Sequence, residues 1–516
     1  MQKKKLINFR PTLCLAVSMI VSIILATNVF ISQRSRIIFI CIFGTFTAAV
    51  LVYFLIVKKK FALVISASLL FMVIPFVSIY SRTNLINQNK SLNVNNCYIS
   101  GKIYKVNRNT EENKIYIYLD DVRLKTTEDT QKFNGDFFLC LSLNSVETER
   151  LVSGQYIKVK CEPKLLSLEG KNDRKDLSFI SRDVVGTGYA YSYNLKIENK
   201  ISRGFRDNIK NAVYELLSKT DMFYSGTGYA MLFGDSTILD NSVSGVFYKT
   251  GIAHLLAVSG FHISIIVAFI SFVLNKLKTN KHLKLAVISL ILIVYAYICN
   301  FSPSVIRASI MSIVALFAAN RNKEYDGLSA LSLACCIILL INPLDLFNMS
   351  FVLSFVSVLS IILLMPLFKR LLSKIFYNKL ASMLALSFST SIGVSTFQLY
   401  YIGSIPVLSF FANLITVPVV SMLFIYLIVA IIFGSIFGIA VPLINIFVFG
   451  MKYVLQFNSF IASANWVISV KNVSEIVLLL SLATIFIMSD YEFIKKKPKW
   501  IISGAMVCLI VCLMIF

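Results

Sequence analysis

Two of the three histidines in this chain, His254 and His262, stand eight residues apart inside a run that is otherwise apolar. Ser259 and Gly260 lie between them, and a serine-glycine pair is a frequent cause of a helix kink. Lipid offers no hydrogen-bond partners, so a helix interrupted at membrane depth must face protein or a watery cavity. Interrupted helices of this kind mark transport pathways, so the segment predicts a polar path through a membrane.

Three kinds of chemistry fit the two imidazoles. They could line the path and donate hydrogen bonds to phosphates, or they could hold buried backbone carbonyls at the break. A metal site has the least support because no Cys, Glu or third His accompanies them. The sequence therefore predicts neither a metal site nor a cofactor.

A basic side chain lies in another apolar run. Arg307 follows Pro303 by four residues, in the first turn of a predicted span. A cation inside a membrane is a functional-site hypothesis by default, here as a contact for a passing phosphate. The alternatives are an ion pair with Asp235 or Asp345, or a side chain that reaches the outer interface.

Two further interruptions combine asparagine with proline, Asn342-Pro343 and Asn413 with Pro418. The run that holds the second pair is too long for one ordinary span, which predicts a short re-entrant or interfacial piece near 404–416 and a span from Pro418. Asn413 would then face the path or pack between helices. The predicted pathway residues are Asp235, His254, Ser259, Gly260, His262, Arg307, Asn342, Asp345 and Asn413, with structural breaks at Pro303, Pro343 and Pro418.

The composition is that of a polytopic membrane protein, with 57% apolar residues, 15% charged residues and a mean hydropathy of +0.75. A span needs about 20 apolar residues, and the chain has about thirteen candidate helices, with a range of 10–13. These runs are 11–31, 37–57, 61–80, 251–275, 285–300, 304–319, 328–342, 351–368, 382–402, 418–436, 440–460, 474–489 and 500–516.

The segment 81–225 differs from the rest because it holds 18 of the 26 acidic residues. The basic clusters before the first span and at Lys58–Lys60 belong in the cytoplasm by the positive-inside rule. The N-terminus is therefore predicted to be cytoplasmic, and residues 81–225 to be extracytoplasmic.

This external segment predicts a small β domain inserted after the third helix. Five stretches rich in β-branched and aromatic residues fit an OB-like barrel. Its cysteines, Cys97, Cys140 and Cys161, permit one disulfide with one thiol left over, and spacing does not select the pair. Its aromatic and basic residues could form a platform for a single strand, or a β core with solvated faces. The predicted strands are 97–105, 114–124, 137–143, 155–161 and 185–195.

An amphipathic helix follows the β domain. Apolar residues recur every four positions from Ile201 to Leu217. This face predicts a helix along the outer membrane interface, or one packed on the β domain.

Motifs between Met231 and Pro418 resemble the ComEC family of competence proteins, which carry single-stranded DNA inward during natural transformation. The run Leu232-Phe233-Gly234-Asp235 and the segment from His254 to His262 carry the resemblance. Further matching motifs are Pro303-Ser304-Val305-Ile306-Arg307-Ala308, Asn342-Pro343-Leu344-Asp345, Leu353-Ser354-Phe355, Tyr401-Ile402-Gly403 and Ala412-Asn413-Leu414. Val352, Thr396 and Phe261 depart from the residues that are usual in the family.

The resemblance implies a channel for single-stranded DNA in the bacterial cytoplasmic membrane, and not an enzyme. Many relatives also carry a metallo-β-lactamase-like domain, whose H-x-H-x-D-H cluster this sequence does not contain, so no nuclease module is expected. The implied partners are single-stranded DNA, the lipid bilayer, a separate DNA receptor, a cytoplasmic ATP-driven motor and a separate nuclease, with a homo-oligomer left open. The expected parts are a three-helix membrane segment (1–80), an OB-like domain (81–200), interfacial helices (201–249) and a competence-type transmembrane channel domain (250–516).

Two other functions stay open. A membrane-embedded enzyme acting on a lipid or cell-wall substrate would use the histidines and an aspartate for turnover. An envelope scaffold would need the external domain but not the polar side chains of the membrane part.

Overall fold

A computed structural model describes residues 10–29, 37, 60–89, 97–109, 114–125, 130–142, 151, 154–166, 174–191, 194–201, 204–236, 238–470, 473–489 and a few positions between 503 and 510. Helix α1 (Pro11–Ile24) leads into a π turn, and α2 (Lys60–Gln88) packs against it. Helix α2 continues to Gln88, so the predicted boundary at residue 81 lies inside a helix and the β domain begins later. Tertiary packing extends the helix through the polar residues that suggested its end.

The β domain is a closed barrel. Its elements are β1 (Cys97–Asn109), β2 (Lys114–Lys125), β3 (Thr130–Lys132), β4 (Asp136–Ser142), β5 (Gln155–Leu165), α3 (Arg174–Ile180), β6 (Val184–Tyr191) and β7 (Leu195–Ile201). Strands pair in the order β1, β2, β4, β6, β5, and β5 returns to β1. Only β4 and β6 run parallel among these pairs. Closure leaves the barrel strands no free edge between β1 and β5.

Alternation along the strands explains the barrel interior. In β4 every second residue is buried, including Phe137 and Leu139, and Ile99, Ile117 and Val159 face the same interior from other strands. The five predicted strands all occur, whereas β3 and β7 were not predicted as separate strands. The OB type of this barrel stays a prediction.

The barrel rests on the membrane part. Its hydrophobic core is continuous with Leu339, Leu344 and Phe351 of the bundle described below. Arg82 of α2 bonds the end of α3, with 3.1 Å from Nη2 to a carboxylate oxygen of Asp183. These contacts hold the barrel over one end of the helices.

The membrane part is a bundle of apolar helices. Its elements are α4 (Phe205–Leu217), α5 (Met222–Phe233), α6 (Asn241–Lys249), a 3-10 turn (Ala253–Leu255), α7 (Gly260–Lys276), α8 (Lys281–Ile298), α9 (Pro303–Asn320), α10 (Gly327–Ile341), a 3-10 turn (Pro343–Phe347), α11 (Met349–Leu372), α12 (Asn378–Ile402), β8 (Ser404–Pro406), α13 (Ser409–Phe437), α14 (Ala440–Ser463), β9 (Val467–Ser469) and α15 (Glu475–Met488). Large apolar side chains such as Met422 and Phe460 are exposed on its outside, as lipid contact requires.

Eleven of the predicted membrane runs coincide with apolar helices. Within the described residues, 7 helices, including part of α2, are long and apolar enough to cross a membrane, and four shorter apolar helices lie at 11–27, 260–276, 327–341 and 475–488. The predicted runs 37–57 and 500–516 lie almost entirely outside the described residues. The chain is thus a helical membrane protein with a small β barrel, and the total of thirteen helices stays a prediction.

Helix α13 corrects one prediction. It runs without interruption from Ser409 to Phe437, so Pro418 lies inside a helix and breaks nothing. Membrane-type helices tolerate proline because neighbouring groups satisfy the freed backbone. The piece predicted to be re-entrant is a short strand, β8, followed by the first turns of α13.

Candidate functional site

The predicted break between the two histidines is present. The 3-10 turn ends at Leu255, and Ser259 is the extended N-cap of α7. The backbone N–H of Ser259 donates a hydrogen bond of 3.1 Å to His262 Nδ1. Because Nδ1 accepts, the neutral imidazole carries its proton on Nε2. His262 therefore caps α7 by accepting from a backbone N–H, whereas the structural interpretation of this histidine predicted a bond to a backbone carbonyl.

His262 also has a hydrogen-bond donor that the described residues leave without a partner. Its side chain is fully buried, and Nε2 has no hydrogen-bond partner among the described residues. The imidazole lies against Phe424 of α13, with 4.5 Å between ring centroids. A buried donor without a partner is costly, and it marks a place where a polar group is missing.

His254 has a different environment. Its side chain is exposed at the surface of the bundle, and its ring bonds the Gly251 backbone. His254 and His262 also lie close enough for their charges to interact. The structure thus brings the two histidines together at the break.

Arg307 lies at the same break and is only 5% exposed. Its Nη2 approaches Gly260 so closely that a Cβ at that position would collide with it. The guanidinium carbon lies 6.0 Å from the ring centre of Phe355, a weak cation–π contact. Nε and Nη1 are buried and have no partner within the described part of the chain.

The predicted ion pairs of Arg307 are wrong. Asp235 instead binds Lys210 of α4, with 3.1 Å between Nζ and a carboxylate oxygen and both side chains buried. Asp345 lies near the barrel, where Asn342 Nδ2 donates to its carboxylate at 3.2 Å. Asp235 and Asp345 are therefore structural acids in this arrangement.

Lys210 and Asp207 are residues that sequence reasoning missed. Both are buried on α4, where Phe205 of the predicted apolar face is exposed. Asp207 also accepts from Lys102 of the barrel at 3.5 Å. Their spacing of three places them on one helix face, which was the available signal. Helix α4 thus links the barrel to the loop after α5 through charges.

Asn342 and Asp345 belong to the seam between barrel and bundle. Asn342 Nδ2 also donates to the Ser181 carbonyl at the end of α3. Burial raises the pKa of Asp345 to about 7. Pro343 is the first residue of its 3-10 turn, and Pro303 is the first residue of α9, positions where proline's missing N–H does no harm.

Asn413 lies near the start of α13. Its Oδ1 is buried without a partner among the described residues. The structure does not separate the two interpretations of Asn413, because a side chain that packs between helices and one that faces a polar path can both be buried.

The aromatic residues of the barrel pack on one another. The Tyr116 and Phe138 rings stack with centroids 5.6 Å apart, and Tyr118 is buried against Phe138. Arg182 donates to the Tyr118 hydroxyl at 3.2 Å. Burial lowers the pKa of Lys105 to about 8. These rings have few free faces for stacked bases, which favours the β-core interpretation.

Strand register separates the three barrel cysteines. Cys97 of β1 stands directly opposite Cys161 of β5, both buried, whereas Cys140 lies on β4. Directly opposed residues have Cβ atoms about 4.5–5.5 Å apart, near the separation that a disulfide needs. Cys97 and Cys161 therefore form the pair that fits the predicted disulfide.

The chain shares sequence with known proteins over the region that holds this break. A family profile described as "Competence protein" matches residues 231–491, half of the chain. The chain belongs to the competence protein family. This membership confirms the resemblance that the motifs indicated.

Curated relatives match over shorter stretches. "ComE operon protein 3" of Bacillus subtilis (strain 168) is 28% identical over 194 residues, which are 38% of this chain and 24% of that protein. "Recombination protein 2" of Haemophilus influenzae (strain ATCC 51907 / DSM 11121 / KW20 / Rd) is 25% identical over 224 residues, 40% of this chain and 28% of that protein. The matched part thus spans about a quarter of the length of these relatives. No solved structure matches the chain.

Proposed function

We propose that this competence-family protein is a channel that carries single-stranded DNA across the bacterial cytoplasmic membrane during natural transformation. One observation supports the proposal: Arg307 approaches the interruption before α7 and is buried there, and its Nε and Nη1 have no partner among the described residues. His254 lies on the same interrupted segment with an exposed side chain. A polyanion needs cations and donors along its path. A lipid-facing structural bundle has no use for a buried guanidinium without an acid.

The charge distribution also supports a path for an anion. The membrane part holds few acids, and the two that the sequence assigned to the path, Asp235 and Asp345, are engaged with Lys210 and Asn342. A strand of phosphates would therefore meet no ring of unpaired carboxylates, which would repel it. The scarcity of acids in the sequence and their engagement in the structure favour an anion path over a cation path.

Further parts of the proposal concern orientation and partners. The barrel, of OB type, lies outside the cell and the N-terminus lies in the cytoplasm, following the positive-inside rule. An inside-negative potential opposes phosphate entry by about 2.3 kcal/mol per charge per 100 mV. A separate cytoplasmic ATP-driven motor would supply the pull, with a separate receptor and nuclease outside.

Import of labelled DNA into a transformable strain that lacks its own channel tests the proposal. The wild-type chain should restore import, and His254→Gln should reduce it. His282→Gln is the matched control, because His282 is exposed at the start of α8, where Asn320 bonds it at 3.2 Å. Normal import by the His254 variant, at normal membrane levels, would contradict the proposed path.

The same strain separates the alternative functions. A scaffold would tolerate the histidine change but not deletion of the barrel. A membrane enzyme would lose turnover of a small substrate while the import of DNA by the rest of the machinery continued.

A further inference from the structure

The start of α7 combines two positive features. The N-terminus of this 17-residue helix carries backbone N–H groups without intrahelical partners and a partial charge of about +0.5. The guanidinium of Arg307 approaches the first residue of the helix, Gly260. Two like charges at one buried place repel each other, and an anion bound between them would remove that repulsion.

No protein group supplies that anion among the residues that the structure describes. Arg307 makes no ion pair there, and its Nε and Nη1 are buried without a hydrogen bond. At 5% exposure, little of the side chain reaches bulk water. Tyr325 lies close enough to interact with the guanidinium, and its phenol is neutral at physiological pH, so it does not neutralise the charge. Arginine does not lose its proton in proteins, so the buried charge remains.

Gly260 is explained by the same geometry. Glycine is a poor helix former, and the φ angle at this position is not one that demands it. A side chain here would occupy the space of Arg307 Nη2. The glycine therefore keeps the helix N-terminus open to the guanidinium.

We propose that Arg307 and the N-terminus of α7 form a binding seat for one phosphate-type oxyanion, and that a phosphodiester group of the passing strand occupies it. The fork of the guanidinium and the N–H groups of a helix N-terminus both match phosphate oxygens. The assignment of the occupant to the strand rests on the proposed function. The seat itself rests on the geometry of Arg307 and Gly260.

Gly260→Ala is the sharpest probe of the seat. The new methyl group meets only the far end of a flexible side chain, so the protein should fold while the guanidinium is displaced. Gly245→Ala is the matched control, because the space around that glycine in α6 is open. Arg307→Gln removes the charge without a large change in volume.

Thermal unfolding of the full chain in detergent, titrated with inorganic phosphate against chloride at equal ionic strength, measures the seat. Phosphate should raise the Tm of the wild type and of Gly245→Ala in a saturable manner. Gly260→Ala and Arg307→Gln should bind phosphate at least about tenfold more weakly, the loss expected for one charged hydrogen-bonding partner. Equal effects of phosphate and chloride on the wild type, or unchanged affinity in Gly260→Ala, would overturn the seat.

Competition identifies the source of the phosphate group. A short phosphodiester oligonucleotide should displace inorganic phosphate, and a matched uncharged methylphosphonate oligonucleotide should not. Displacement by dispersed anionic phospholipid alone would overturn the assignment to the strand. A wild-type chain that restores no DNA import but binds phosphate through Arg307 refutes the proposed function and leaves the seat standing.

Discussion

Lys210 and Arg307 are both buried, and their surroundings differ. Lys210 is 3.1 Å from the carboxylate of Asp235, so its charge is neutralised by the fold. Arg307 is equally buried and has no acid beside it among the described residues. The comparison separates a cation that holds elements together from a cation that awaits a ligand.

Acids outside the membrane spans can avoid a buried charge in a third way, by keeping a proton. Burial raises the pKa of Asp136 in the barrel to about 7, a value at which a carboxyl can avoid its charge by keeping a proton. Arginine has no such escape. An unpaired buried arginine therefore makes a stronger case for a missing partner than an unpaired buried aspartate does.

The largest expected effect is at the paired cation. Lys210→Met should lower the free energy of unfolding by about 3–5 kcal/mol, because it leaves Asp235 buried without its cation. The double variant Lys210→Met with Asp235→Leu should recover much of that loss. Chemical unfolding in detergent and the amount of protein in the membrane check both. A mild single variant would mean that Lys210 and Asp235 do not depend on each other.

A smaller effect is expected from Asp136. Its pKa is about 7 in the fold and 3.8 as the ordinary value, so the folded state binds more protons between these limits. Stability should therefore fall as the pH rises from about 4 to about 7 and level off above. The full shift corresponds to about 4 kcal/mol, and solvent screening of the partly exposed Asp136 reduces the expected change to on the order of 2 kcal/mol. Asp345 contributes in the same direction. Asp136→Asn should flatten the profile measured by thermal unfolding, and an unchanged slope would contradict the assignment.

The smallest effect concerns the cap that holds the break in place. His262→Ala removes the acceptor for the Ser259 N–H and should cost about 1 kcal/mol, the usual worth of a helix cap. His262→Gln offers a replacement acceptor at the N3 position and should be more stable than the alanine variant. Unfolding measurements on both variants distinguish the loss of the capping hydrogen bond from the loss of packing against Phe424. An equal loss of stability in both variants would contradict a capping role for His262.

The barrel was the more predictable region. Alternation of apolar residues in β4 gave its strand and its buried face, since a strand with one buried face repeats every two residues. The pairing of β1 with β5, which closes the barrel and opposes Cys97 to Cys161, depends on contacts between distant segments. No local pattern reports such contacts.

The membrane part was predictable in outline and less so in detail. The break at Ser259 and Gly260 was predicted because local backbone chemistry causes it. The partner of Asp235 was not predicted, because Lys210 lies on another helix, and no local pattern reports a contact between two helices. The predicted break at Pro418 was wrong because a helix continues through proline only with help from neighbouring groups, and the local sequence does not report those neighbours.

Import of labelled DNA by Arg307→Gln and Arg307→Lys, each at wild-type membrane levels, tests the central claim most directly. The account predicts that the glutamine variant folds at least as stably as the wild type, because it removes an unpaired buried charge, and yet imports at least about tenfold less DNA. The lysine variant should retain part of the import, because it keeps the charge without the fork. Wild-type import by a stable Arg307→Gln protein would contradict the claim that this arginine serves the strand.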